Sequence, residues 1–200
     1  MLSRREMLAM TPLAAAAAIR GSRMGAATAA QPATPVNFSV PADACDCHTH
    51  IFGDPRRFPF ATGRTYTPES ASVAEMRSLH RALRTERVVI VQPSVYGTDN
   101  SCTLDAIRQL GPNARGIAVI DDSISDAALN DMYSGGIRGI RINLATTGQT
   151  DPELGRRRFT AAVARIRDRK WHIQMFTQLS VMILWICATT TTMRGLWARA

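Results

Sequence analysis

Five short apolar runs recur between residues 44 and 178 with amphipathic stretches between them, and this alternation limits the fold more than any other feature of the chain. The runs cover residues 44–52, 87–94, 115–120, 137–144 and 171–178. The middle three are nearly continuous in Val, Ile, Ala and Gly, the pattern of strands covered on both faces, as in a parallel sheet. The intervening stretches repeat at helical spacing. In 72–83, Val73, Met76, Leu79 and Leu83 form one stripe, with Ser72 and Glu75 placed as a capping box. Leu104, Ile107 and Leu110 mark 103–110. A capping Ser125 with Leu129 and Met132 marks 125–133, and Phe159, Ala162, Val163 and Ile166 mark 156–169. The result is an α/β chain whose parallel sheet is covered by helices, either doubly wound or a (β/α)8 barrel.

Polar residues at the strand ends favour the barrel, where the carboxyl ends of the strands carry the chemistry. The first run reads Cys45-Asp46-Cys47-His48-Thr49-His50. Under strict alternation Asp46, His48 and His50 share one face, with Cys45, Cys47 and Thr49 on the other. Two imidazoles on one face can converge on a metal ion or a substrate anion. The second run ends in Gln92 and Ser94, the fourth in Arg141 and Asn143, and the fifth offers Gln174, Phe176 and Gln178. Polar groups in an apolar sheet are costly unless a ligand or network satisfies them, so their repeated arrival at strand ends points to a cleft. His80, beside Leu79 on a helical stripe, reads as a helix-face residue, and His172, at the opposite end of its strand, as structural.

The formal charge of +8 adds little. Arg4, Arg5, Arg20 and Arg23 belong to the amino terminus, while the cluster from Arg156 to Lys170 reads as a solvated helix face without the interleaved aromatics of a single-strand nucleic-acid surface. A small-molecule substrate is therefore expected rather than nucleic acid. Residues 1–30 read as an export signal. Arg4-Arg5 precedes a modest apolar stretch, and Ala27-Thr28-Ala29 offers a cleavage site. The arginine pair resembles a twin-arginine signal, from which Met7 and Ala9 depart; an ordinary secretory signal or a disordered tail are the alternatives. The apolar stretch is too short for a stable membrane span. A periplasmic or secreted location follows, with 31–42 as a Pro-rich linker. The four cysteines read as buried small apolar residues without a defined pairing. Nothing in the sequence sets an oligomeric state.

The segments Ala44 to Gly53, Gln92 to Asn100, Gly136 to Asn143 and Trp171 to Gln174, taken in order, resemble the amidohydrolase-related metal-dependent hydrolases. Within that superfamily they are most similar to the 2-pyrone-4,6-dicarboxylate lactonase branch. The resemblance covers residues 43–180 and implies a (β/α)8 barrel that hydrolyses a small carboxylate-bearing lactone or related carbonyl compound by water attack. It places His48 and His50 at the first-strand pair. That pair binds a divalent, zinc-like metal in most of the superfamily, and in the lactonase-like branch contacts substrate without one. It matches Ser94 and Arg141 to positions that hold substrate carboxylates, which suits a guanidinium fork and a hydroxyl donor. Tyr66 is a further candidate donor. Phe176 stands where a Tyr is expected, which removes one polar contact.

The same resemblance implies three further β/α units, with another His and a general-base Asp, so about five of eight units are expected here. Residues 181–200 change character: no acidic residue, four consecutive Thr and two of the three Trp. Two readings stay open, an out-of-frame or truncated terminus, or a divergent ending with an apolar run that is buried or adheres to a membrane. Function is open to the same extent: a lactonase-type hydrolase, or a catalytically inactive fragment that at most binds metal or a carboxylate ligand.

Overall fold

The computed structural model describes residues 29–182, so the export reading of residues 1–28 and most of the atypical tail lie outside the described residues. Five strands, β1 (Cys45–Thr49), β2 (Arg87–Val91), β3 (Ala114–Ala118), β4 (Ile137–Asn143) and β5 (His172–Phe176), alternate with helices α1 (Val73–Leu83), α2 (Ser101–Leu110), α3 (Asp126–Ser134) and α4 (Pro152–Ile166). All neighbouring strands pair in parallel, in the sequential order β1-β2-β3-β4-β5.

The helix starts follow from their caps. Ser72 accepts from the Glu75 amide while the Glu75 carboxylate reaches back to the Ser72 amide, closing the expected capping box. Ser125 accepts from the Ala128 amide and Asp151 from the Glu153 amide. The Asp151 cap, with Pro152 in the first turn, starts α4 four residues before the expected Arg156. Its inward stripe consists of Gly155, Phe159, Ala162 and Ile166, and Val163, expected inside, is exposed. Arg165 of α4 and Arg169 of the 3-10 turn that follows it both bond the Asp126 carboxylate at 2.8 Å and tie this end of α4 to α3.

The main core lies between sheet and helices: Val88, Ile90, Ile137 and Ile140 from the strands meet Met76, Ile107, Leu129 and Ile166 from the helices. Full burial of each such side chain stabilises the fold by about 1.5–3 kcal/mol. Gly139 permits the close approach of β4 and β5, since a Cβ there would lie 2.7 Å from the His172 carbonyl oxygen.

The sheet is curled. Strands one and five of a flat five-stranded sheet stand about 19 Å apart at ~4.8 Å per step. Here His48 of β1 and Gln174 of β5 bring Nδ1 and Nε2 within 3.2 Å across the concave side. The five units form a half-barrel with helices on the convex face.

β1 departs from the expected alternation. Cys45 and Asp46 pair with Arg87 and Val88, but Thr49 pairs with Ile90, so three steps along β1 match two along β2. This bulge reverses the facing of everything after it. Asp46 therefore points to the helix layer, where it bonds His80, and Thr49 points there too, its hydroxyl 3.7 Å from Met76 Sδ. His48 and His50 occupy the concave face. The expectation that Asp46 shares the histidine face is wrong for this reason. So is the expectation that Thr49 opposes Asp46. Of the cysteines, Cys102 is buried as expected, but Cys47 is exposed and Cys45 half-buried, and all three are free; Cys187 lies outside the described residues.

Candidate active site

The concave face is assembled from strands whose opposite faces are fixed by the core. Ile140 and Ile142 point to the helices, so Arg141 between them points into the half-barrel, level with Gln174 on β5. Phe176 follows on the same face, and the Arg141 guanidinium carbon sits 5.1 Å from its ring centroid. The position expected to hold a Tyr thus supplies a ring for the guanidinium rather than a hydroxyl.

Arg141 is 9% exposed, and among the described residues its Nε has no hydrogen-bond partner. Among the described residues no carboxylate pairs with it. Burial pushes its pKa down, and the Tyr66 hydroxyl, close enough to interact, raises it. A buried cation without a counter-ion is costly unless a ligand anion completes it. Gln174 Oε1 is also buried without a partner among the described residues, so two orphaned polar atoms of opposite character border one space.

His48 and His50 stand beside this cation, with ring centroids 5.2 Å apart and planes nearly perpendicular. Burial lowers the pKa of both, and the charge of Arg141 lowers each further. Both imidazoles are therefore neutral near pH 7. Their hydrogen bonds set different tautomers. His50 Nδ1 lies 2.7 Å from the Val91 carbonyl, which can only accept, so Nδ1 carries the proton and Nε2 is a free acceptor. His48 Nδ1 faces the Gln174 amide nitrogen, which donates, leaving the His48 proton on Nε2.

The remaining expected residues divide. Ser94 opens a 3-10 turn directly after β2, on the same rim, and its hydroxyl engages no protein group among the described residues. Tyr66 stands 44% exposed in the loop between β1 and α1. That loop folds back over the rim: Phe52 pairs with Ala71, Phe58 is buried, and the Gly53 amide donates to the Tyr96 hydroxyl at 3.0 Å. Gln92, expected to face the cleft with Ser94, points the other way. Its amide donates to the Asp99 carbonyl and its oxygen accepts from Thr103 of α2, which braces the 92–100 loop. Asn143 likewise shapes the following loop by accepting from the Thr146 amide. His172 is exposed at the start of β5, away from the rim, as expected. Gln174, which sequence reasoning left among the strand-end polar residues, is a full member of the cleft.

A catalytic zinc takes three protein ligands and keeps one position open. The described residues supply two imidazoles here, and no group of three or more His, Cys, Asp or Glu stands together among them. The guanidinium that depresses both imidazoles also repels a divalent cation. The donor set described does not by itself fit a metal, although members of the wider family are often metal-dependent.

Residues 45–194 match the family described as Amidohydrolase. The chain is 44% identical over 114 residues to a 2-pyrone-4,6-dicarboxylate hydrolase of Comamonas testosteroni, covering 57% of this chain and 37% of that one. It is 34% identical over 144 residues to a 4-sulfomuconolactone hydrolase of Rhizobium radiobacter, covering 70% and 47%. Its fold resembles the crystal structure of a probable 2-pyrone-4,6-dicarboxylic acid hydrolase from Acinetobacter baumannii with citric acid bound. The TM-score is 0.64 at 24% identity, over 74% of this chain and 54% of that one. The chain thus spans about half, or less, of the length of the relatives it matches. The curled parallel half-barrel and the family match over residues 45–194 together lead to one conclusion: this chain belongs to the amidohydrolase family.

Proposed function

We infer that the concave cleft binds a small carboxylate-bearing lactone and serves its hydrolysis by water. The observation that carries this reading is Arg141, a buried cation whose Nε has no partner among the described residues, beside two imidazoles held neutral. A guanidinium grips a carboxylate through two parallel hydrogen bonds, and Ser94 and Tyr66 stand on the same rim as further donors. The names of the two curated relatives, hydrolases of a pyrone dicarboxylate and of a sulfomuconolactone, support an anionic lactone as the substrate class.

In this reading Arg141 orients the ring by its carboxylate. His48 Nε2–H is placed to donate to the lactone carbonyl as its oxygen becomes negative. His50 Nε2, the free acceptor, takes a proton from the attacking water as its oxygen bonds the carbonyl carbon, a role suited to an imidazole neutral at working pH. The tetrahedral adduct then breaks the ring C–O bond, and the His50 imidazolium returns the proton to the departing ring oxygen. The family resemblance gives the base to an Asp on the last strand of a full barrel; within the described residues, His50 is the acceptor at hand. A divalent metal in this cleft would need ligands beyond His48 and His50.

One observation favours a second reading, a cleft that binds without turnover: among the described residues no carboxylate faces the two imidazoles. The test is hydrolysis of 2-pyrone-4,6-dicarboxylate and of its dimethyl ester by the full chain, followed by loss of the pyrone absorbance. Turnover of the diacid but not the diester supports the hydrolase reading. Binding of the diacid without turnover selects the second. Equal handling of diacid and diester rejects both. Export to the periplasm remains a companion proposal resting on Arg4, Arg5 and the Ala-rich stretch that follows, checked by fractionation of the full-length chain.

A further inference from the structure

A β-bulge leaves one residue without its ladder partner, and its amide needs another acceptor. In β1 that residue is in the Cys47–His48 step, between the Asp46–Val88 and Thr49–Ile90 pairs. The acceptor is on the chain itself: Asp46 Oδ1 receives the His48 amide at 3.3 Å. The other carboxylate oxygen, Oδ2, meets His80 Nε2 at 3.1 Å. His80 belongs to α1 and is 8% exposed, so it approaches the bulge from the helix layer, behind the sheet. Parallel bulges are uncommon, and bulges near active sites re-aim side chains. Without this one, alternation from Asp46 would turn His48 toward α1 and away from Gln174 and Arg141.

We propose that Asp46 and His80 are positioning residues: the dyad holds the β1 bulge and thereby fixes His48 on the concave face. The claim deepens the reading of the cleft as a carboxylate-lactone site and rests on it for its functional consequence. Neither residue touches the ligand space. Asp46 acts through the His48 backbone, and His80 acts through Asp46.

The experiment compares wild type, His80→Leu and His80→Gln in the full chain. Gln offers an amide nitrogen near the place of His Nε2 and can still donate to Asp46; Leu fills a similar volume without a donor. The first readout is the His48 amide in 1H–15N NMR spectra without ligand. The second is the Kd for 2-pyrone-4,6-dicarboxylate by calorimetry. The proposal expects His80→Leu to shift the His48 amide and weaken binding about tenfold, the scale of one lost charge-assisted hydrogen bond. His80→Gln is expected to restore both. Two outcomes overturn it: a His48 amide unmoved in folded His80→Leu, or equal impairment of the Leu and Gln variants, which marks a packing role. If wild type does not bind the dicarboxylate, the cleft reading fails, and the ligand-free NMR comparison still decides the positioning claim.

Discussion

Replacing Arg141 by Met should stabilise the fold while abolishing anion binding. Arg141 is 9% exposed as a residue, and among the described residues its Nε lacks a partner and no carboxylate neutralises it. Desolvating such an ion costs several kcal/mol, and stacking on Phe176 at 5.1 Å offsets about 1–2 kcal/mol of that. Met keeps the length and apolar stem without the charge. Substituting buried ionic groups by apolar residues of similar size is often neutral or favourable by about 1–4 kcal/mol. With part of that range lost as the stacking disappears, the net expectation is about 1–2 kcal/mol. At this chain length the melting temperature should rise by about 2–8 °C. Binding moves the other way. Losing a buried arginine–carboxylate contact costs about 2–5 kcal/mol, or roughly 30-fold and more in Kd. Thermal melts by circular dichroism and calorimetric titration with 2-pyrone-4,6-dicarboxylate read the two arms. A Met variant that melts lower and binds as well as wild type would instead make Arg141 a structural cation.

Three further outcomes follow from the geometry. Stability should fall as pH drops below the ordinary imidazole value of 6.5, because His48 and His50 have lowered folded-state pKa values and the unfolded chain takes up their protons first. The loss begins near 6.5 and ends below the folded values, and urea melts of a His48→Gln/His50→Gln variant should show a flatter profile across that window. Gly139→Ala should destabilise by about 1–3 kcal/mol in denaturant melts, since its Cβ would meet the His172 carbonyl oxygen at 2.7 Å and push β4 from β5. Ser72→Ala should cost about 1 kcal/mol in the same assay by removing the acceptor for the Glu75 amide, with ligand affinity unchanged.

The fold was legible because its signals are local. Capping residues and helical stripes at Ser72, Ser125 and the apolar runs need no distant partner, and the five strands and α1 to α3 stand close to where these features put them, while α4 starts four residues early at its Asp151 cap. Sequential parallel pairing then follows from β-α alternation. The site was legible in part. Arg141 is flanked by Ile140 and Ile142, so its face is set by its neighbours, and the structure brings it to His48, His50 and Gln174. What alternation misreads is β1. A bulge is set by pairing with β2 and by a contact between Asp46 and a histidine 34 residues away, and strict period-two counting cannot register either. Gln92 was misplaced for a related reason. Beyond Val91 the chain leaves the strand, and the side chain is claimed by Thr103 and the Asp99 carbonyl. Cation–π contact turned Phe176 from a missing hydroxyl into the floor under Arg141, a role visible once the two strands are in register.

If Arg141 and two neutral imidazoles form one anion-binding cleft, imidazole NMR during titration with 2-pyrone-4,6-dicarboxylate will register the bound anion at both rings. A dianion on Arg141 reverses the local field, so saturation should raise the pKa of both His48 and His50, and Arg141→Met should remove the effect. Saturable binding that leaves both imidazole titrations unchanged, or that persists in Arg141→Met, would contradict a shared cleft.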